Sequence, residues 1–463
     1  MIGMQLIKPY FLPPLDEEFR PASLANRAYR AEAAKHDEPL VIGLERENGN
    51  FSRYETVVFP EGHPRAVENN YYIERLVKFL LWQRGGYKIY IGGSHSIAEY
   101  VRSCYAPDGP RKFDYYFMGE QVYERPFSVM GCSPDEVPPA NETGKPLGRH
   151  LDGCRIGFDL GASDRKVSAV VDGKVVFSEE VIWEPRRQTD PDYHYGEIVT
   201  ALKTAAAKMP RVDAIGGSSA GIIIDNRPMV ASLFRGIPGE RFQEIRDLFN
   251  RIRREMNVPM EVINDGDVTA LAGAMSLDDT GVLGIAMGSS EAGGYVDLNG
   301  NILGWLSELA FAPVDYNPYG PVDEWSGEIG CGALYFSQQC VFRLAPKAGI
   351  ETSVDLTDAE KLKSIQEKLE SGHAGALKIW RSIGIYLGYA LAHYADFYQV
   401  KHVLILGRCT SWLGGELILK NAKAVLQAEF PELAESIHIQ LPDEKSRRIG
   451  QSIAAASLPE IKK

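Results

Sequence analysis

Gly157-Phe-Asp-Leu-Gly-Ala-Ser163, then a strand and Asp172-Gly173, recurs as Gly284-Ile-Ala-Met-Gly-Ser-Ser290, then a strand and Asn299-Gly300. The pairs Gly157/Gly284, Gly161/Gly288, Ser163/Ser290 and Gly173/Gly300 keep one offset of 127 residues without a gap. Each copy reads as an apolar strand, a small-residue turn, a second strand (167–171 and 295–298) and a hairpin turn at Asp-Gly or Asn-Gly. Turns of this kind let backbone N–H groups come close to a phosphate, and serine hydroxyls add donors. A single hairpin can carry glycine and serine for turn geometry alone. Two in register point to a duplicated clamp on a polyphosphate.

The 463 residues exceed what one hydrophobic core usually serves, so two or three domains are expected. With 44% hydrophobic and 24% charged residues the composition is that of an ordinary globular protein. A formal net charge of −12 argues against a nucleic-acid backbone or an anionic membrane as the main partner, because both need a basic surface. No apolar run reaches membrane-spanning length, and the N-terminus lacks the basic and apolar regions of a secretory signal. A cytoplasmic protein is therefore expected. Cys104, Cys132, Cys154, Cys331, Cys340 and Cys409 form no CxxC pair and read as reduced thiols.

A Pro/Gly-rich stretch around Cys132–Gly148 has the composition of a linker. It divides the chain into an N-terminal α/β domain at 1–131, a linker at 132–150 and two repeat-bearing domains at 151–275 and 276–463. In the first, 39–45 and 87–91 read as strands and 73–82 as a helix. Further on, Phe242, Ile245, Phe249, Ile252 and Met256 keep helical spacing, so 240–256 reads as one helix leading into the strand 260–263. Asn264-Asp265-Gly266 follows that strand directly. Taken alone, the triplet is a common turn whose Asp caps the next helix.

The paired turns, Asn264-Asp265 after a strand, and the late strand 402–406 with its Gly407 resemble the actin-like ATPase and sugar-kinase superfamily. Within it, order and spacing are most similar to the ROK family over about residues 153–455. The resemblance implies an α/β fold of duplicated actin-like (ribonuclease H-like) domains, with the N-terminal α/β region as an addition. It implies an ATP- and Mg²⁺-dependent kinase acting on a sugar hydroxyl. Asp265 is then the base, while Asn264, Glu308, Gly221 and Asp225 lie toward the sugar. Asp159, Gly161 and Ser163 form the first phosphate loop, Gly288, Ser289, Ser290 and Gly293 the second, and Gly407 lies near the adenosine. Asp159 would organise Mg²⁺ through water, as a hard cation bridging phosphate oxygens requires.

The departures from the family pattern shape the expectations equally. Phe311 stands where a sugar- and zinc-site His is usual, and Ser326-Gly-Glu-Ile-Gly-Cys331 keeps only one Cys of the zinc loop, so no structural zinc is expected. Arg408 replaces a second Gly after Gly407. Glu291 puts an acid into the second phosphate loop, where it must turn away, bind a metal or weaken nucleotide binding. A different class of function, a non-catalytic sugar-responsive sensor or scaffold on the same fold, stays open. The sugar, the role of residues 1–150 and formation of a homo-oligomer are not decided by the sequence.

Overall fold

The computed structural model describes residues 3–142, 144, 148–442 and 444–461, the side chains of 444–449 excepted. Residues 143 and 145–147 of the expected linker lie outside the described residues. The chain divides into two compact units, Met1–Thr143 with Ile285–Gly293 and Trp305–Leu441, and Gly144–Gly284 with Gly294–Gly304 and Pro442–Lys463. The N-terminal region is thus not a unit by itself. It shares one with most of the chain's second half.

In that first unit, β1 (Glu38–Glu45) pairs antiparallel with β2 (Phe51–Val58) and β3 (Lys88–Gly92), and β4 (Ser128–Cys132) closes a four-stranded sheet ordered β2-β1-β3-β4. Helix α1 (Val67–Arg84) connects β2 to β3 and buries fifteen of its eighteen residues. A helix buried nearly all round must bury whatever charges it carries, and each then needs a partner. Glu74, Arg75 and Lys78 are such charges.

The second unit holds a five-stranded sheet ordered β11-β8-β5-β6-β7. Its strands are β5 (Cys154–Leu160), β6 (Asp164–Val171), β7 (Lys174–Ile182), β8 (Ala214–Ser219) and β11 (Met260–Asn264), while β9 (Ile222–Ile224) and β10 (Arg227–Val230) form a separate hairpin. The turn between β6 and β7 is made by Asp172 and Gly173, with φ of 46° and 76°, the left-handed pair expected of Asp-Gly. Past Asn264 the chain turns into helix α2 (Asp265–Leu277).

The helix expected over 240–256 is broken at Asp247 into Phe242–Arg246 and Leu248–Met256. Asp247, with φ −90° and ψ −4°, stays in the right-handed region but off regular helix values, a distortion that costs an aspartate little.

Strands β12 (Val282–Met287), β13 (Glu291–Val296), β14 (His402–Leu406) and β15 (His438–Gln440) form the remaining sheet, ordered β13-β12-β14-β15. Substituting each strand by its counterpart gives β6-β5-β8-β11, the order of the other sheet without its edge strand β7. The duplication read from the glycine turns is therefore a duplication of topology. The second strand of the later copy starts at Glu291 and stops before Asp297, earlier than the 295–298 expected, because the Asp297 carboxylate accepts the N–H groups of Asn299 and Asn301 and turns the chain. Among the described residues no helix is long and apolar enough to cross a membrane.

Helix α3 (Glu444–Ala456) packs on β5 and β8 where they carry glycine. A Cβ at Gly157 would lie 2.2 Å from the Ser452 carbonyl oxygen, and one at Gly216 only 1.6 Å from that of Ala455. Gly157, the first glycine of the repeat, is therefore a helix-docking residue. Gly216→Ala should displace α3 and cost about 1–3 kcal/mol or more, as overpacking of a close backbone approach does. Thermal unfolding of the variant is the check, and an unchanged melting temperature would refute this packing.

Candidate functional site

In the second unit the chemistry gathers at the C-terminal ends of β5, β8 and β11. The turn after β5 is closed by the Gly161 N–H donating to the Asp164 carbonyl at 2.9 Å, with the Trp183 indole N–H on the Gly161 carbonyl at 2.9 Å. Ser163 at its tip is exposed. This tight turn sets Lys166 opposite Asp159, and the parallel register of β5 with β8 sets Ser218 beside it. Ser218 Oγ donates to Asp159 Oδ1 at 2.7 Å, and Lys166 Nζ lies 3.9 Å from Oδ2 and 3.0 Å from Asp164. Burial still pushes the Asp159 carboxyl above its ordinary range, against the Ser218 bond and the Lys166 charge.

Asn264, not Asp265, caps the helix. Its Oδ1 accepts the Gly266 N–H at 2.7 Å, and its Nδ2 donates to the Gly221 carbonyl at 2.9 Å. Asp265 is the first helical residue, half-buried, with Oδ1 3.0 Å from the Gly266 nitrogen. Burial, and then the Asp159 charge, push its carboxyl up to about 6, while bonds from the Gly266 N–H and its own N–H pull the other way. Asp265 thus lies within the field of the Asp159 carboxylate. Asp267, which the sequence reading passed over, is buried on the same turn, accepts the Tyr295 N–H at 3.2 Å and is pushed by burial to about 7.

Asp225 is not brought to this group. With Asn226 it makes the left-handed turn of the β9–β10 hairpin, at φ of 51° and 61°. Asn226 clips that turn to the start of β11, donating to the Met260 carbonyl at 3.1 Å and accepting the Val262 N–H at 2.6 Å. Asn264 lies at the other end of the strand, some four residues or about 13 Å away.

In the first unit the second small-residue turn is closed by the Gly288 N–H on the Ser290 carbonyl at 3.0 Å, with Ser289 and Ser290 exposed. Gly407 lies against it, because its left-handed backbone (φ 102°) would put a Cβ 2.5 Å from the Met287 carbonyl oxygen. Gly293 lies inside β13, where a Cβ would meet the Ser307 carbonyl oxygen at 2.5 Å. Glu291 turns away from the loop. Its carboxyl is buried beside Gly332, Oε1 accepts from Tyr394 Oη at 3.3 Å, and Oε2 has no hydrogen-bond partner. Burial, reinforced by the charge of Glu308, pushes it up to about 8.

Glu308 is half-buried, and its segment hangs on the end of α1: the Ser307 and Glu308 N–H groups donate to the Gln83 and Trp82 carbonyls at 2.8 and 3.0 Å. Phe311 packs on Trp82 and Trp325 with ring centroids 4.5 and 5.1 Å apart. Glu328, in the loop that resembles a zinc loop, accepts from Arg75 at 2.7 Å and from Arg111, with Lys78 Nζ at 3.4 Å. Cys331 is buried, and burial raises its thiol far above the ordinary range. Among the described residues no group of three or more His, Cys, Asp or Glu side chains is arranged to hold a metal.

Glu291 has a consequence for stability. A folded-state value near 8, against an ordinary 4.5, means that the neutral carboxyl favours the fold at low pH and that this contribution is lost as pH rises toward 8. The loss is about 1.4 kcal/mol per pH unit. Glu291→Gln removes it, so the variant should show a smaller fall in unfolding free energy between pH 5 and pH 8 in denaturant titrations. Equal falls in both proteins would contradict a neutral buried Glu291.

The profile of the ROK family matches residues 155–439. A glucokinase of Halalkalibacterium halodurans is 26% identical over 207 residues, which make up 42% of this chain and 62% of that enzyme, less than two thirds of its length. Among solved structures, a ROK family glucokinase from Streptomyces griseus in complex with glucose and AMPPNP has a TM-score of 0.50 at 20% identity, covering 65% of this chain and 99% of that one. A ROK hexokinase from Thermus thermophilus has a TM-score of 0.51 at 18% identity, covering 65% and 97%. A ROK family transcriptional regulator, a homologue of the MLC protein of E. coli, has a TM-score of 0.52 at 17% identity, covering 72% and 81%. These likenesses establish the duplicated actin-like ATPase fold, to which residues 1–143 add a further α/β region. With its profile running through both hairpins, Asn264-Asp265 and β14, the chain belongs to the ROK family.

Proposed function

We propose that the chain is an ATP-dependent kinase that phosphorylates a hydroxyl of a sugar, with Asp265 as the general base. The observation that carries this reading is the placement of Asp265, half-buried at the end of β11 beside the doubly anchored Asn264, with burial and the Asp159 charge pushing its carboxyl up to about 6. A base of that strength is ionised at neutral pH yet basic enough to take the hydroxyl proton as it is released. Phosphoryl transfer otherwise asks for positioning and charge neutralisation. Asn264 supports the positioning role. Its amide is fixed from both ends by Gly221 and Gly266, which leaves one N–H to direct at a sugar oxygen.

Magnesium fits Asp159, a hard oxygen ligand with room beside its Ser218 bond, and Mg²⁺ is commonly held by one or two carboxylates and water. When bound it supplies neutralisation of phosphate oxygens. Asp159 would hold it through water, and the exposed turns at Ser163 and Ser289-Ser290 offer backbone and hydroxyl donors to phosphates. The buried, inward-turned Glu291 removes the acid that would oppose an anion there. The relative named a glucokinase makes glucose the first sugar to try.

The test is ADP release from Mg²⁺-ATP across hexoses, amino sugars, N-acetylated sugars and polyols. Asp265→Asn should lower kcat by about 10²–10⁴-fold with the fold intact. In the wild-type chain kcat should fall as pH drops through about 6, because Asp265 then takes up a proton. Sugar binding without turnover would point instead to the sensor reading, and an Asp265→Asn variant of undiminished turnover would remove the base.

A further inference from the structure

The segment that carries Glu308 is held from two directions by one helix. At its C-terminal end α1 offers the Gln83 and Trp82 carbonyls to the Ser307 and Glu308 N–H groups. Carbonyls of the last helical turn have no partner within the helix, so these bonds use acceptors that α1 must satisfy elsewhere. One and two turns earlier α1 carries Lys78 and the pair Glu74-Arg75. Arg75 bonds Glu74 at 2.7 Å and Glu328 at 2.7 Å, Arg111 bonds both Glu74 and Glu328, and Lys78 bonds Asp114 at 2.6 Å with Glu328 at 3.4 Å. Three cations face three carboxylates. All six side chains are buried except Arg111, which is 17% exposed.

Glu328 belongs to the loop that pairs with the Glu308 segment. The Gly330 carbonyl accepts the N–H groups of Val314 and Asp315 at 2.9 and 3.0 Å, and the Gly332 N–H donates to Ala312 at 3.1 Å. Between the two anchor points lies an aromatic group: Trp82 and Phe311 in contact, Trp325 against Phe311, Phe113 and Phe117, and the Trp82 indole N–H on Asp114 at 2.8 Å. Burial alone would push the Glu328 carboxyl up; Arg75 and Lys78 outweigh it and hold the group below the ordinary range, so it is ionised. An ionised carboxylate only 1% exposed is rigidly placed, because moving it away from its cations leaves buried charges unpaired.

We propose that α1 of the N-terminal region is the positioning element for Glu308, and that the ion cluster of Arg75, Lys78 and Arg111 around Glu328 sets where that side chain meets the sugar. The proposal rests on the reading of Glu308 as a sugar contact. These residues touch neither substrate nor nucleotide; they act through the 305–316 and 321–331 segments. Residues 1–143 are therefore a structural part of sugar recognition.

Arg111 is the residue to change, since its partial exposure lets water take over part of its role and keeps the fold. Arg111→Gln should weaken sugar binding about tenfold, measured by calorimetry and as KM, with little change in ATP affinity, kcat or the acid limb of the pH profile. Arg111→Lys, which keeps the charge, should recover most of the loss. Hydrogen–deuterium exchange without ligand reads the brace itself: in Arg111→Gln, exchange over 305–311 should accelerate while 154–160 stays as in the wild type. Unchanged exchange, or faster exchange with unchanged sugar affinity, would overturn the proposal. So would parallel losses of sugar and ATP affinity. A wild-type chain that binds sugar without phosphorylating it defeats the kinase reading alone, and the sugar affinities of the variants still decide for or against the brace.

Discussion

Charge that cannot reach water is the constraint on which the first unit depends. Helix α1 is buried nearly all round and yet carries Glu74, Arg75 and Lys78, so its neighbours must bring opposite charges to fixed points. Asp114, Arg111 and above all Glu328 do this. Replacing such a group by hydrophobic residues can be nearly neutral, but removing one member strands its partners, at a cost of about 3–5 kcal/mol. The arrangement thus tolerates little sliding of α1 against the 321–331 loop. That inflexibility is passed to the Glu308 segment through two backbone hydrogen bonds.

The same physics has a different outcome where cations are fewer or absent. Asp159, Asp265 and Asp267 in one unit and Glu291 in the other are all pushed upward by burial. Asp159 keeps a serine and a lysine within reach, and Asp265 stays half-exposed; these two remain able to ionise and to meet a cation. Glu291 has one phenol and an unpartnered oxygen, which suits a neutral group filling space beneath a turn. Identical side chains thus take up different roles because of what surrounds them.

Much of the fold was legible in the sequence because it is local or repeated. The offset between Gly161 and Gly288 anticipated two related hairpins, and a strand ending in Asn264-Asp265 needed only its own apolar pattern to be recognised. The fate of Glu291 was one of three open alternatives, since loop sequence does not reveal which way a side chain turns. Ser218 escaped notice because its neighbour Asp159 is set by parallel strand register, which has no sequence signature, whereas the tight 161–164 turn could have revealed Lys166. Asp225 was named for its polarity, but a left-handed turn residue is explained by its backbone alone. The union of residues 1–143 with 305–441 was hidden because its bonds join residues far apart in the chain, as Arg75 and Glu328, 253 positions apart, are.

That separation has a consequence for the order in which the molecule is made. Arg75 leaves the ribosome 253 residues before Glu328, and Arg155 leaves 304 residues before Pro459, whose carbonyl it bonds at 2.7 Å. Neither unit can complete its interior from a contiguous stretch of nascent chain. Contacts of such long range form slowly, and until they form the apolar faces of α1 and of the β5–β8 sheet are open to other chains. The glycines that admit α3 and the cations that await Glu328 therefore hold back the last step of burial until those distant partners have been made.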